Sequence, residues 1–159
     1  MAEIPLEGIT PCGIICFACR AYLKGTCHGC RSEAPQKRKS KFLCKIRVCC
    51  LDTKHYQLCN QCSEAPCKAF HQKLLKTHTD EAKYAYRRDT LVHFRLIKRV
   101  GLQKALEFLN RRWTCPACGG RILFYEYTCF KCGRSYFNEI QDFHEAEIQD
   151  DNGGKVLKS

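Results

Sequence analysis

Apolar residues recur with helical spacing in the middle of the chain, between residues 68 and 112. A first helix is predicted over residues 63–76, with Pro66 near its start. A second is predicted to begin at Thr79 and to end at Gly101, and a third to follow directly. The second helix has an apolar stripe formed by Ala82, Ala85, Tyr86, Val92, Leu96, Ile97 and Val100. In the third helix, apolar residues recur at positions i, i+3, i+4 and i+7, which are Leu102, Ala105, Leu106 and Leu109. The two longer helices are expected to form an antiparallel pair.

The segments on either side of these helices are rich in cysteine. Residues 12–67 contain eleven cysteines, residues 68–112 contain none, and residues 115–132 contain the last four. Residues 121–128 combine β-branched and aromatic side chains, which favours a strand. The pattern therefore divides the chain at about residues 67 and 113.

Composition indicates what stabilises such a chain. The apolar content of the chain is 45%, and this figure includes its 15 cysteines. The remaining apolar residues are few for one large core in a chain of 159 residues. The first ten residues show no secretory signal, and no stretch is apolar enough to span a membrane. A cytoplasmic location is therefore expected, and in that reducing environment clustered cysteines are more often metal ligands than disulfides.

These observations predict a small, metal-stabilised, mixed α+β fold. A cysteine-knuckle domain is expected over residues 10–67, a helical segment over 68–112 and a β zinc ribbon over 113–137. Residues 138–159 are expected to form an acidic, partly disordered tail.

The carboxy-terminal cysteines have the spacing of two metal-binding knuckles. Cys115 and Cys118 form one Cys-x-x-Cys pair, and Cys129 and Cys132 form the other. A glycine follows each pair and permits a positive φ there. Four thiolates from two such turns predict a closed, structural tetrahedral site. Its ion is expected to be zinc, with rubredoxin-like iron as the alternative.

The eleven amino-terminal cysteines can be divided into two further sites, which gives about three zinc ions in all. The simplest partition uses Cys16, Cys19, Cys27 and Cys30 for one site and Cys44, Cys49, Cys59 and Cys62 for the other. Cys12 or Cys67 can replace a member of either set, and Cys50 is expected to be a buried free thiol. An iron–sulfur cluster, including [4Fe–4S], stays open as the alternative cofactor, but the chain lacks the βα series that a radical-SAM barrel would need.

The cysteine motifs resemble a prokaryotic family known as domain of unknown function 3795. The motifs that carry this resemblance are CGIICFACRAY at residues 12–22, CHGC at 27–30, CKIRVC at 44–49 and CNQCSEAPC at 59–67. Similar members continue with a helical stretch ending in glycine, then a tryptophan and a ribbon. The resemblance implies that Cys12 and Cys67 are motif positions as well, and it implies metal binding in a prokaryotic cytoplasm. Some members carry a further cysteine where this chain has Lys41 and Phe42. The family has no established activity.

The charge of the chain indicates what it could bind. Its formal net charge is +11, and because Zn²⁺ with four thiolates carries −2, three such sites would lower the total to +5. Opposite the apolar stripe of the second helix, basic side chains alternate with aromatic rings, as in proteins that bind single-stranded nucleic acid. This predicted face consists of Lys83, Tyr84, Arg87, Arg88, Phe94, Arg95, Lys98 and Arg99. The same mixture can also dock on the cysteine-rich domain or on a protein.

The sequence therefore predicts a multi-site zinc protein that acts as an interaction module for nucleic acid or for an acidic protein. The competing class is an iron–sulfur or rubredoxin-type redox or metal-handling protein. No catalytic acid, base or open metal position is indicated, so a non-enzymatic role is favoured. No membrane association is expected.

Overall fold

The protein is described by a computed structural model over residues 4–32 and 43–140. We number its α-helices α1 (Arg20–Leu23), α2 (Lys45–Arg47), α3 (Lys68–Phe70), α4 (Ala85–Val100), α5 (Leu102–Arg112) and α6 (Phe137–Ile140). Single 3₁₀ turns span Leu6–Gly8, Cys16–Ala18, Cys59–Gln61 and Ala82–Tyr84. The π-helical segments Val48–Thr53 and His71–Leu75 directly continue α2 and α3. Most of the predicted tail, residues 141–159, lies outside the described part of the chain.

The predicted β ribbon, and with it the mixed α+β class, is wrong, because the fold is helical. Residues 4–32 and 43–140 contain no strand and show only four isolated antiparallel bridges. Three of these bridges lie in the carboxy-terminal segment, and they join Thr114 to Arg121, Ile122 to Cys129, and Thr128 to Ser135.

The backbone of residues 123–127 explains why no strand forms there. Tyr125 and Tyr127 have φ values of 76° and 52°, which lie in the left-handed region and interrupt an extended chain. The amide of Tyr127 donates to the carbonyl of Leu123 over 2.8 Å and closes a turn, while the amide of Phe124 donates to Ala18 over 3.0 Å. The turn and this long-range contact override the β propensity of the side chains.

The two long helices follow the sequence prediction most closely. α4 ends at Gly101, whose φ of 89° is unfavourable for other residues and whose amide donates to the carbonyl of Ile97. α5 begins at the next residue and buries Ala105, Leu106 and Leu109. The predicted start at Thr79 is wrong, because Glu81 is extended and α4 begins only at Ala85, after a 3₁₀ turn.

One hydrophobic core connects the three predicted segments. It contains Phe17 from the amino-terminal segment, Leu96 and Leu106 from the helices, and Trp113 and Tyr127 from the carboxy-terminal segment. The cysteine-rich ends therefore pack on the same helical pair. Within the described residues, no helix is long and apolar enough to cross a membrane.

Candidate metal centre

The four carboxy-terminal cysteines lie on two turns with the same backbone hydrogen bonds. In the first turn the amide of Gly119 donates to the carbonyl of Cys115 over 2.8 Å, and in the second the amide of Gly133 donates to Cys129 over 2.9 Å. Gly119 and Gly133 have φ values of 75° and 77°, so the predicted positive φ after each pair is confirmed. A side chain is strained in this conformation, which is why glycine suits both positions.

The two turns bring four sulfur atoms into one cluster, which could hold a metal ion. The Sγ atoms of Cys115, Cys118, Cys129 and Cys132 all lie within 4.8 Å of one another. The Cys115–Cys132 pair is separated by 3.7 Å and the Cys118–Cys129 pair by 3.4 Å. A tetrahedron with Zn–S bonds of about 2.3 Å has sulfur–sulfur edges of about 3.8 Å. The donor set and its spacing therefore fit one thiolate-bound ion.

Hydrogen bonds to the sulfurs favour their charged form. The amide of Gly120 approaches Cys118 Sγ at 3.4 Å, and the amides of Lys131 and Cys132 approach Cys129 Sγ at 3.4 and 3.5 Å. The hydroxyl of Tyr136 lies 3.0 Å from Cys115 Sγ. Such donors stabilise a thiolate and complete the surroundings of its ligand sulfur.

These contacts give the cysteines different proton affinities. Burial disfavours the Cys115 thiolate, but the hydrogen bonds from Tyr136 and from the backbone outweigh it and lower the pKa to about 6. The Gly120 amide favours the Cys118 thiolate, but burial and the neighbouring cysteines outweigh it and raise the pKa to about 11. At neutral pH the Cys115 thiolate is thus favoured and the Cys118 thiolate is not, so an ion bound by both sulfurs would displace a proton from Cys118.

The cluster is held against the helices by residues just before and within it. Trp113 is 2% exposed and stacks on Tyr127 with ring centroids 6.1 Å apart. Arg121 hydrogen-bonds Asn110 on α5 and, over 3.1 Å, the hydroxyl of Thr114. Its guanidinium also lies 5.0 Å from the ring centroid of Phe17, which connects the cluster to the amino-terminal segment.

The amino-terminal cysteines lie around two cavities. A larger cavity of about 480 Å³ is lined by six of them, namely Cys12, Cys16, Cys19, Cys27, Cys30 and Cys44. A smaller cavity of about 110 Å³ is lined by the other five, Cys49, Cys50, Cys59, Cys62 and Cys67. All fifteen cysteines of the chain lie in its described part, and none of them forms a disulfide there. The predicted second set is thus divided, because Cys44 faces one cavity and Cys49, Cys59 and Cys62 face the other.

Each cavity has one lysine that donates to a sulfur, and the sequence prediction missed both. Lys73 Nζ lies 2.7 Å from Cys44 Sγ, and Lys54 Nζ lies 3.1 Å from Cys62 Sγ. Burial opposes the Cys44 thiolate, but the Lys73 ammonium and the backbone amides of Arg47 and Ile46 together outweigh burial and lower the pKa of Cys44. The backbone amide of Glu64 and the Lys54 ammonium lower the pKa of Cys62. No motif marks these lysines, since Lys73 is 29 residues from its cysteine.

The predicted basic face of α4 is only partly exposed. Lys83, Arg95, Lys98 and Arg99 are exposed, and Arg88 is half-buried. Arg87 is half-buried and packs inward, with its guanidinium 4.7 Å from the ring centroid of Tyr84 and its Nη1 3.0 Å from Thr77 Oγ1.

The two aromatic residues assigned to that face are engaged within the molecule. Phe94 is 8% exposed, and its ring centroid lies 6.0 Å from that of Phe70. Tyr84 stacks on His78 with ring centroids 4.1 Å apart. Neither ring is placed to stack on a base, because one belongs to the core and the other already stacks on a side chain. The amphipathic pattern missed this because α4 is covered on a second side by the loop at Gly13.

Fold and site together define a small, helical, cysteine-rich protein with one preformed four-sulfur cluster. Residues 8–72 match the model of a family described as protein of unknown function (DUF3795). The match supports the family resemblance over these residues and does not extend to the carboxy-terminal cluster. No curated protein matches the chain. No solved structure matches it either.

Proposed function

We propose that the protein is a zinc-binding interaction module, in which Cys115, Cys118, Cys129 and Cys132 hold one structural Zn²⁺. The observation that carries this proposal is the mutual approach of the four sulfurs within 4.8 Å. Zinc with four cysteine ligands forms closed sites that contribute directly to folding. Cysteines that form no disulfide in the described part of the chain suit a reducing compartment such as the cytoplasm.

A structural role agrees with the surroundings of the cluster. Four protein ligands complete a tetrahedron and leave no position for a substrate or water. The buried His93 is held in the core by a hydrogen bond of 2.7 Å between its Nδ1 and the carbonyl of Gly13. That carbonyl can only accept, so Nδ1 carries the proton. The surface, rather than the metal, is then what contacts other molecules.

The proposed contact surface is the end of α4 formed by Arg95, Lys98 and Arg99. All three side chains are exposed and lie within two turns of one helix. Such a group suits the phosphates of a nucleic acid, which we propose as the partner, with an acidic protein as the second candidate. Because Phe94 is buried and Tyr84 is stacked, the expected contact is with the backbone and has little sequence preference.

The metal is tested by elemental analysis and absorption spectra of protein purified without oxygen and without added metal. We expect colourless protein that contains zinc and loses about one zinc ion per molecule when Cys118 is replaced by Ser. Thiolate-bound iron would instead give visible absorption, and it would replace the zinc proposal with the rubredoxin-type alternative.

The surface is tested by binding to a single-stranded oligonucleotide at several salt concentrations. Replacing Arg95, Lys98 and Arg99 by Gln should reduce the slope of log K against log salt by roughly 2, at about 0.7 for each lost phosphate contact. The matched control replaces the exposed Lys45, Lys68 and Lys76 by Gln and removes the same charge elsewhere. Equal losses in both variants, or no binding by the parent protein, would contradict the nucleic-acid proposal.

A further inference from the structure

The six cysteines of the larger cavity come from three parts of the chain. Cys12, Cys16 and Cys19 precede or flank α1, Cys27 and Cys30 follow it, and Cys44 immediately precedes α2. The last four are half-exposed, so their thiols are not simply buried as core side chains. The fold thus gathers on one cavity wall sulfurs that are up to 32 residues apart in sequence.

The smaller cavity offers four sulfurs that can act as ligands. Among its five cysteines, Cys50 alone is buried, and its Sγ lies 3.4 Å from the carbonyl oxygen of Tyr56, so it packs as a side chain of the core. The remaining four, Cys49, Cys59, Cys62 and Cys67, are half-exposed or exposed. This set differs from the one that spacing favours, because Cys67 takes the place of Cys44.

The two lysines add the same feature to both cavities. Lys73 donates to Cys44 at the larger cavity, and Lys54 donates to Cys62 at the smaller one. An ammonium group at this distance holds a sulfur as a thiolate and offsets the negative charge that several thiolates around a divalent ion carry. Lys54 also lies 2.9 Å from Glu64, which fixes its position.

We propose that the amino-terminal cysteines form two separate metal centres divided by cavity. Cys44 belongs to the larger one, with Cys12, Cys16, Cys19, Cys27 and Cys30, and the smaller one is formed by Cys49, Cys59, Cys62 and Cys67. Lys73 and Lys54 are the positioning residues of the two centres. This assignment rests on the proposed function, since it assumes that the chain uses its cysteines to bind metal.

The two centres differ from the carboxy-terminal cluster in how closely their sulfurs approach. Within residues 4–32 and 43–140, the four carboxy-terminal cysteines form the only group of three or more whose sulfur atoms all lie within 4.8 Å of one another. At each amino-terminal centre, metal binding therefore either brings four thiolates of the cavity closer together or involves several ions that bridge a larger number of thiolates. Both arrangements use thiolate-bound metal from a single cavity, and metal analysis for each protein molecule distinguishes them.

The test maps which cysteines become reactive together when one centre is damaged. Purified full-length protein is treated with iodoacetamide under reducing conditions, and the alkylated positions are identified by mass spectrometry. Cys44→Ser should expose Cys19, Cys27 and Cys30 to alkylation, while Cys49, Cys62 and Cys67 stay protected. Cys67→Ser should give the opposite result. If Cys44→Ser instead exposes Cys49 and Cys62 and leaves Cys19, Cys27 and Cys30 protected, the assignment is wrong.

Two milder variants keep the test decisive if a serine substitution unfolds the whole domain. Lys73→Met leaves every thiol in place and should weaken metal binding at the larger cavity by about 10–100-fold, as expected for the loss of a group that orients a ligand. Lys73→Arg retains a donor and should therefore keep most of the metal affinity of the larger cavity. Lys54→Met should weaken metal binding at the smaller cavity only. Loss of protection at both cavities in Lys73→Met, without unfolding, would overturn the division.

The same experiment separates failure of this assignment from failure of the proposed function. Chelation should expose Cys118 and Cys132 if the carboxy-terminal cluster binds metal. If chelation changes the reactivity of these two cysteines but of none in the amino-terminal part, the two centres do not exist and the proposed function stands. If it changes no cysteine at all, both proposals fail.

Discussion

Replacing Gly120 by alanine should damage the carboxy-terminal metal site directly. A Cβ atom at this position would lie 2.6 Å from Lys131 Cβ, 2.9 Å from Cys129 Sγ and 3.3 Å from Cys118 Sγ. Carbon atoms pack best at about 3.5–4.0 Å, so the shortest of these contacts is too close by about 1 Å. Since Lys131 Cβ is fixed to the backbone, the relief must come from a shift of the turn that carries Cys129.

The size of the effect follows from this overlap. Inserting one methyl group into a well-packed site costs about 1–3 kcal/mol. A difference of about 1.4 kcal/mol corresponds to a factor of ten in affinity. If the strain falls on the metal-bound form, metal affinity at this site should therefore fall by roughly 5- to 150-fold. The φ of Gly120 lies outside the left-handed region, so the loss is steric and not a backbone effect.

The assay uses the only tryptophan of the chain, Trp113, which is buried two residues before Cys115. Its fluorescence during titration with a zinc chelator reports on this site, to which Trp113 is adjacent in sequence. Gly119→Ala is the matched control, because a Cβ there meets nothing within 4 Å and only the positive φ is strained. With cobalt in place of zinc, the control should keep the spectrum of the parent, whereas Gly120→Ala should change it. Unchanged affinity and an unchanged cobalt spectrum in Gly120→Ala would refute the proposed sulfur geometry.

Three further predictions concern stability. Burial lowers the pKa of His93 from 6.5 to about 4. Between pH 4 and pH 6.5 the unfolded chain therefore binds more protons than the folded protein. About 3 kcal/mol of the free energy of unfolding that is present above pH 6.5 is lost as the pH falls towards 4. His93→Asn, which keeps a donor for Gly13 but does not titrate, should lose less in denaturant titrations across this range. Gly13→Ala should destabilise the fold by about 2–4 kcal/mol in the same assay, because φ is +93° and a Cβ would lie 3.1 Å from Phe94. Chelation under reducing conditions should abolish near-ultraviolet circular dichroism, while part of the helical signal of α4 and α5 persists; full retention of tertiary structure would contradict a role for metal in folding.

Local features were predictable from the sequence. The end of α4 at Gly101 and the buried positions of α5 follow from a helix stop signal and an i, i+3, i+4 repeat, both of which act within one helix. The carboxy-terminal cluster was predictable for the same reason, since two Cys-x-x-Cys-Gly turns carry all four sulfurs.

Features that depend on distant contacts were not predictable. The strand expected at residues 121–128 is replaced by a turn in which Phe124 bonds to Ala18, more than a hundred residues away. Phe94 was assigned to an exposed face because a periodic pattern cannot show that the loop at Gly13 covers the second side of the helix. The partition of the amino-terminal cysteines depends in the same way on which elements enclose each cavity.

The turns themselves explain why only one cluster is preformed in the described part of the chain. After Cys118 and Cys132 the chain continues with glycine at positive φ, and the amide of that glycine bonds four residues back. Cys19 and Cys62 instead close 3₁₀ turns three residues back, to Cys16 and Cys59, and are followed by arginine and serine. These pairs lack the glycine that closes a turn four residues back, so each of them depends on cysteines from other segments and on a lysine donor to complete its site. Metal binding at the carboxy-terminal cluster should therefore require less rearrangement of the backbone than metal binding at the amino-terminal centres.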